Sequence, residues 1–222
     1  MRCVIVTGGP LPDEASDVIK GFVSDPDTRL IACDSGCDYL SGISIVPSIV
    51  IGDMDSITDS GLDFISANSI PVEKYPVEKD WTDTEIALMK TDCTDEVILI
   101  CPVTGRIDHV LANLGLAVKY RAEGRKITVT DGVTTCIPMA GEDRAECSVE
   151  FFEGGAAVSL VPFSFDVPVT GVTTEGLYYP LTDAALTAGS SFSFSNHPVK
   201  GAKKIAVSIK SGKLLLIVTK SV

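Results

Sequence analysis

Ile45-Val46-Pro47-Ser48-Ile49-Val50-Ile51-Gly52-Asp53-Met54-Asp55-Ser56 is the stretch on which the fold turns. Its apolar part is nearly continuous and rich in β-branched residues. Such a run reads as a strand covered on both faces, the situation of a parallel sheet. The run ends in a glycine, which permits a sharp turn, and then in two carboxylates. In parallel sheets, ligands gather in the loops beyond the carboxyl ends of the strands. Asp53 and Asp55 are two apart, so an extended backbone points both the same way. Two convergent carboxylates suit a hard cation such as Mg²⁺, which takes oxygen ligands. A bare Asp-x-Asp is also an ordinary solvated turn, so the neighbouring segments must decide.

Outward from this stretch, similar runs occur at 3–7, 29–33, 70–74, 96–101 and 126–130. Amphipathic helices are predicted at 13–24, 82–91 and 108–122. Thr82 and Glu85 form a capping-box pair at the start of the second. Val110, Leu111, Leu114, Ala117 and Val118 fall on one face of the third. The alternation implies an α/β fold, a parallel sheet layered between helices. The pattern changes at Asp131-Gly132. Beyond it no helix is predicted, and short β-like runs recur at 134–139, 145–151, 157–161, 167–173, 191–195, 204–209 and 213–219. Ser211-Gly212 reads as a hairpin turn. The expected organisation is a three-layer α/β domain over 1–130, followed by an all-β sandwich domain over 131–222.

Composition removes several function classes. The 222 residues carry a formal charge of −12, and residues 1–130 hold 21 acids against 11 bases. Nucleic acid and anionic membranes both call for a basic surface. No apolar run approaches the ~20 residues of a membrane span. Seven cysteines, an odd number with no Cys-x-x-Cys spacing, and only two histidines argue against a disulfide framework or a zinc site. The first apolar run is too short for a secretory signal. A soluble cytoplasmic protein is expected.

Three further strand ends repeat the acidic theme. The run 29–33 is followed by Asp34-Ser35-Gly36. Lys79-Asp80-Trp81-Thr82-Asp83 leads into a helix whose first turn favours the Asp83 carboxylate. The run 96–101 is followed by Thr104-Gly105-Arg106-Ile107-Asp108-His109, where backbone N–H groups and Arg106 suit phosphate oxygens. Each has a plain alternative: Asp83 as a helix-dipole partner, Asp108 as an N-cap, Arg106 paired with a surface acid. Together they point to a magnesium–nucleotide phosphate site. The sequence lacks G-x-x-x-x-G-K-[ST], so it is not a P-loop enzyme; the dinucleotide fingerprint G-x-G-x-x-G is absent, and the lack of G-x-S-x-G speaks against an α/β-hydrolase.

These segments resemble the thiamin pyrophosphokinase family. Ile51-Gly52-Asp53-Met54-Asp55-Ser56 is similar to its G-D-x-D-S motif, Asp34-Ser35-Gly36 to D-G-G, and Lys79–Asp83 to K-D-x-T-D. Thr104–His109 resembles T-G-G-R-x-D-H and runs on into Leu111-Ala112-Asn113-Leu114. In the second half, Gly176-Leu177-Tyr178-Tyr179-Pro180-Leu181 resembles G-L-K-Y-P-L, and Ser195-Asn196 its S-N pair. Ser35 stands where the family has glycine, and Thr104 takes the first glycine position of T-G-G-R.

The resemblance implies transfer of a pyrophosphoryl group from ATP to thiamin, giving thiamin diphosphate and AMP. It implies a homodimer with active sites between subunits. It assigns Asp53, Asp55 and Asp83 to Mg²⁺, and Asp34 to orienting or deprotonating the thiamin hydroxyl, with Asp55 as the alternative. Ser56, Asp80, Thr82, Thr104, Gly105, Arg106, Asp108 and His109 fall to the nucleotide side. Tyr179 would stack on the cationic thiazolium, and Ser195 and Asn196 would bond the pyrimidine. Trp81 is expected to pack. Rival readings are a metal-dependent phosphohydrolase or pyrophosphokinase acting on another heterocyclic substrate, and a nucleotide- or thiamin-binding sensor without turnover.

Overall fold

A computed structural model describes residues 1–149 and 155–220. The chain forms two compact units, one of Met1–Leu116 with Arg125–Gly132, the other of Ala117–Gly124 with the residues from Val133 onward.

The first unit carries six parallel strands: β1 (Arg2–Val6), β2 (Thr28–Cys33), β3 (Ile49–Gly52), β4 (Val72–Lys74), β5 (Glu96–Ile100) and β6 (Lys126–Thr130). They lie in the order β4-β3-β2-β1-β5-β6. Apart from β4, their apolar residues are buried in near-continuous runs, as a doubly covered parallel sheet requires. One face (Val4, Val6, Ala32, Val50, Ile98 and Ile100) packs with α1 (Glu14–Val23), α2 (Gly36–Gly42) and α3 (Asp59–Ala67) through Ile19, Leu40 and Ile65. On the other, α4 (Asp83–Met89) buries Ile86, Ala87 and Leu88 and packs on β1, β2 and β3. Helix α5 (Ile107–Ala122) links β5 to β6.

Sequence and structure differ in four places here. The strand expected from Ile45 begins at Ile49, because Pro47 has no N–H to give a ladder. Helices α2 and α3 were not predicted. Both are short, and each carries glycine inside or at its ends, which masks the periodic signal. On α5, Val110, Ala117 and Val118 are buried as expected, but Leu111 is 55% exposed. Trp81 is half exposed rather than packed.

The second unit is a pair of antiparallel sheets. One is β7 (Thr134–Ala140), β13 (Lys213–Lys220) and β9 (Ala156–Pro162), in that order. The other is β11 (Ala184–Leu186), β10 (Val169–Glu175), β12 (Lys204–Ile209) and β8 (Asp143–Ser148). Their inner faces share one core that includes Met139, Val158, Leu160, Val172, Val207, Leu214 and Leu216, the layout of a sandwich.

Three expectations are corrected in this unit. Ser211-Gly212 is not a hairpin turn. It carries the chain from β12 in one sheet to β13 in the other, and Thr170 and Ser211 bridge across it. The run 191–195 is not a strand. Ser195 takes φ 54°, outside the extended region, and only Asn196 bridges to Val158. The short strand β11 was not predicted. The strand expected over 145–151 ends at Ser148; residues 150 and 151 lie outside the described residues.

Candidate active site

The strand order turns back at β1, whose neighbours are β2 and β5. At such a switch point the following loops diverge and leave a crevice. A cavity of about 320 Å³ opens there. Its wall comes from Thr7 and Gly8 after β1, Asp34 and Ser35 after β2, and Ser56 after β3. Thr82 and Asp83 at the head of α4, Thr104 and Arg106 after β5, and His109 and Asn113 on α5 complete it. Gly8 and Ser35 approach closely, since a Cβ on Gly8 would sit 2.3 Å from Ser35 Oγ and the hydroxyl would have to turn away. Ser35 therefore fills, with its hydroxyl, space that a glycine at its own position would leave open.

Three carboxylates converge at the β2 and β3 ends. Asp34, Asp53 and Asp55 offer oxygens that all lie within 4.8 Å of one another. The approach depends on Gly52, at φ 155°, because a Cβ there would meet Asp34 Cβ at 3.1 Å. Asp34 and Met54 both adopt left-handed backbone (φ 48° and 68°), an uncommon conformation that marks a constrained loop. Asp34 N–H donates to Ile51 O at 2.9 Å, tying the two loops together. Ser56 Oγ donates to Asp34 Oδ2. Asp34 Oδ1 is buried and has no hydrogen-bond partner among the described residues. Asp53 Oδ1 accepts the Asp55 N–H at 3.2 Å. The second acid of the pair suffers from the first: the Asp53 carboxylate holds the Asp55 carboxyl above the usual range.

Lys79 stands on the other side of Asp53. Its Nζ donates to Asp53 Oδ2 at 2.9 Å and lies 3.2 Å from Asp83 Oδ1. The lysine side chain is only 12% exposed and that of Asp53 11%. Hydrogen bonding to Lys79 holds Asp53 below the usual carboxylate range, whereas burial holds Asp83 above it. Burial pulls the ammonium of Lys79 down, and the contacts to Asp53 and Asp83 outweigh that, leaving it above its ordinary value. The structure thus groups Asp34 with Asp53 and Asp55, and sets Asp83 across from them behind Lys79.

The remaining residues of the first unit separate by role. Thr82 caps α4, its Oγ1 accepting the Glu85 N–H at 3.2 Å, and also lines the cavity. Asp80 is exposed and outside the cavity wall. Arg106 forms a two-point contact with Asp108, both side chains well exposed. Asp108 sits in the first turn of α5, and Gly105 makes the bend before it at φ 85°. Cys33 lies beneath Asp34, donating its thiol to Asp83 O at 3.6 Å, and burial pushes that thiol far up. Lys79, Thr7, Gly8 and Asn113 had no role in the sequence reading. Lys79 carried a signal, as the first residue of the K-D-x-T-D segment.

In the second unit, a cavity of about 230 Å³ is lined by Leu160, Tyr179, Leu181, Phe192, Phe194 and Asn196, among others. Asn196 is committed to backbone. Its Oδ1 accepts from the N–H of Tyr179 (3.1 Å) and His197 (2.8 Å), and its Nδ2 donates to Tyr179 O (2.7 Å). It fixes the Tyr179 segment, where Tyr178 stacks on His197 with ring centroids 4.7 Å apart. Ser195 lies outside the cavity wall, its N–H donating to Ser159 Oγ at 3.1 Å.

Two family models match the chain: the thiamin pyrophosphokinase catalytic domain over residues 23–129, and the thiamin pyrophosphokinase vitamin B1 binding domain over residues 148–214. The chain belongs to the thiamin pyrophosphokinase family. The thiamine pyrophosphokinase of Bacillus subtilis (strain 168) is 32% identical over 218 residues, covering 93% of this chain and 97% of that protein. The crystal structure of thiamine pyrophosphokinase from Bacillus subtilis superposes over the full length of both chains with a TM-score of 0.83 at 26% identity. That of thiamin pyrophosphokinase from Geobacillus thermodenitrificans has a TM-score of 0.80 at 27% identity, covering 100% of this chain and 98% of that one. The family's reaction is pyrophosphoryl transfer from ATP to thiamin. The 23–129 match contains the Asp34, Asp53, Asp55 and Asp83 loops, and the 148–214 match contains Tyr179 and Asn196.

Proposed function

We propose that this chain transfers the pyrophosphoryl group of ATP to the hydroxyl of thiamin, with residues 1–130 binding ATP and Mg²⁺ and residues 131–222 binding thiamin and carrying the dimer contact. The observation that carries the reading is the convergence of Asp53 and Asp55 on Asp34, which lines the cavity, in a family-matched α/β unit.

The donor set fits Mg²⁺: three carboxylates offer oxygen, and one of their atoms, Asp34 Oδ1, is buried without a partner. Asp53 and Asp55 would hold the ion, with Asp34 in reach and Asp83 behind Lys79. When bound, the metal supplies charge neutralisation for the phosphates. In the transfer, the thiamin hydroxyl oxygen forms a bond to the β-phosphorus as the bridge from that phosphorus to the α-phosphate breaks, and AMP leaves. Asp34, held through Oδ2 by Ser56, keeps Oδ1 for orienting the hydroxyl and receiving its proton. Arg106, Thr104, Gly105, Asp108 and His109 form the phosphate-side loop. Arg106 exchanges Asp108 for phosphate oxygens at little cost, since that ion pair is exposed. Tyr179 offers an exposed aromatic face to the thiazolium cation.

A homodimer is supported by the exposure of Tyr178, Tyr179, Phe192 and Phe194 on the β-rich unit. All seven cysteines are free, which suits a reducing cytoplasm. No helix of the described residues is long and apolar enough to cross a membrane.

The test is incubation with ATP, Mg²⁺ and thiamin, following AMP and thiamin diphosphate together. Equal amounts of both are expected. AMP without thiamin diphosphate would assign another acceptor, and neither product would leave a binding protein without turnover.

A further inference from the structure

Lys79 seats a cation inside the carboxylate group, between Asp53 and Asp83. We propose that its ammonium is a built-in counter-cation between Asp53 and Asp83, supplying charge that a second divalent ion would otherwise supply, so that the site takes a single Mg²⁺. The inference rests on the metal reading given above.

Asp34, Asp53, Asp55 and Asp83 bring four formal negative charges to neighbouring loops, and their substrate is itself a polyanion. One divalent ion offsets half of that charge. A second ion could offset the rest, and phosphoryl-transfer sites with two metals use that arrangement. In this chain the place between Asp53 and Asp83 is filled by a covalently tethered charge. Lys79 Nζ is 2.9 Å from Asp53 Oδ2 and 3.2 Å from Asp83 Oδ1, with a side chain 12% exposed. A largely covered ammonium that donates to Asp53 and lies 3.2 Å from Asp83 Oδ1, an oxygen with no hydrogen-bond partner among the described residues, is not a solvated surface lysine.

Chain geometry supports the same role. Lys79 precedes Thr82, the N-cap of α4, and Asp83 is the first residue of that helix. The cap fixes Asp83, and the four-residue spacing returns Lys79 to it. Asp53 is fixed from its other oxygen by the Asp55 N–H. The ammonium therefore lies between carboxylates carried by two separate loops. It leaves Asp53 Oδ1, Asp55 and the unpartnered Asp34 Oδ1 for the metal and substrate.

The experiment counts Mn²⁺ bound to nucleotide-free protein by electron paramagnetic resonance. One ion per chain is expected for the wild type and for Lys79→Arg, which keeps the charge. Two are expected for Lys79→Met, whose chain has similar length and no charge. Lys79→Gln serves in its place if circular dichroism shows the methionine variant unfolded. Two ions in the wild type overturn the inference without any variant, and so does a single ion in both the wild type and the folded neutral variant. No bound ion in either overturns the metal reading itself, and the inference falls with it. A lysine that only braces the loop would change stability and leave the count unchanged.

Discussion

Ser56 donates its hydroxyl to Asp34, so the last residue of the G-D-x-D-S segment acts on a carboxylate of the preceding loop. The sequence pattern placed Ser56 with the nucleotide, because spacing shows that a side chain is near a site and not which group it touches. Asp53 and Asp55 were legible because alternation in an extended backbone is a local rule. Asp34 joining them was not, since it needs the register between β2 and β3 and the missing Cβ of Gly52. Asn196 is a similar case: its amide is taken up by the backbone of Tyr179 and His197. Removing the Ser56 hydroxyl frees Asp34 to rotate. Ser56→Ala should therefore lower kcat by about 10–100-fold, the usual effect of losing an orienting partner, with KM for ATP and thiamin within about threefold. Steady-state kinetics would decide. A rise in KM at constant kcat would return Ser56 to a binding role.

At the scale of elements, continuous apolar runs identified five of the six parallel strands of the first unit, because burial on both faces leaves a strong compositional mark; β4, the exposed edge strand, was found without one. Helices α2 and α3 left none, being seven and nine residues long and interrupted by glycine or serine. The switch between sheets at Ser211-Gly212 was also hidden, for a turn sequence does not say whether the strands beside it pair with each other. The end of α5 illustrates what holds such elements once formed. Arg121, in its last turn, makes a two-point contact with Asp143 at the start of β8, with Nε 2.7 Å from Oδ2. The Asp143 side chain is 7% exposed, and it also accepts the Ala140 N–H at 3.1 Å. Arg121→Ala leaves that buried carboxylate with the backbone N–H groups of Ala140 and Arg144 but no counter-charge from Arg121, and breaking a buried pair from one side costs about 3–5 kcal/mol. Urea unfolding of the variant should show a loss in this range. A change below about 1 kcal/mol would mean that water replaces the guanidinium and that the pair behaves as a surface one.

For the whole molecule, the −12 charge and its concentration in residues 1–130 were plain from composition. What composition could not separate is repulsion spread over the surface from repulsion focused at one place. The structure gathers Asp34, Asp53 and Asp55 within 4.8 Å and balances Asp53 and Asp83 with a single lysine. Other acids, such as Asp13, Asp25 and Asp27, are exposed. Diffuse repulsion responds to any salt through screening. A focused site responds to a cation that binds the folded chain alone, and then stability grows with the logarithm of cation concentration. At a hundred times its dissociation constant, such a cation adds about 2.7 kcal/mol. For a chain of this size that corresponds to a Tm rise of roughly 5–10 °C. Mg²⁺ should therefore raise Tm well beyond NaCl at matched ionic strength. In the Asp53→Asn, Asp55→Asn double variant the two salts should act alike. Equal effects of MgCl₂ and NaCl on the wild type would show that the acidic half is only a repelling surface, and that its carboxylates select no ion.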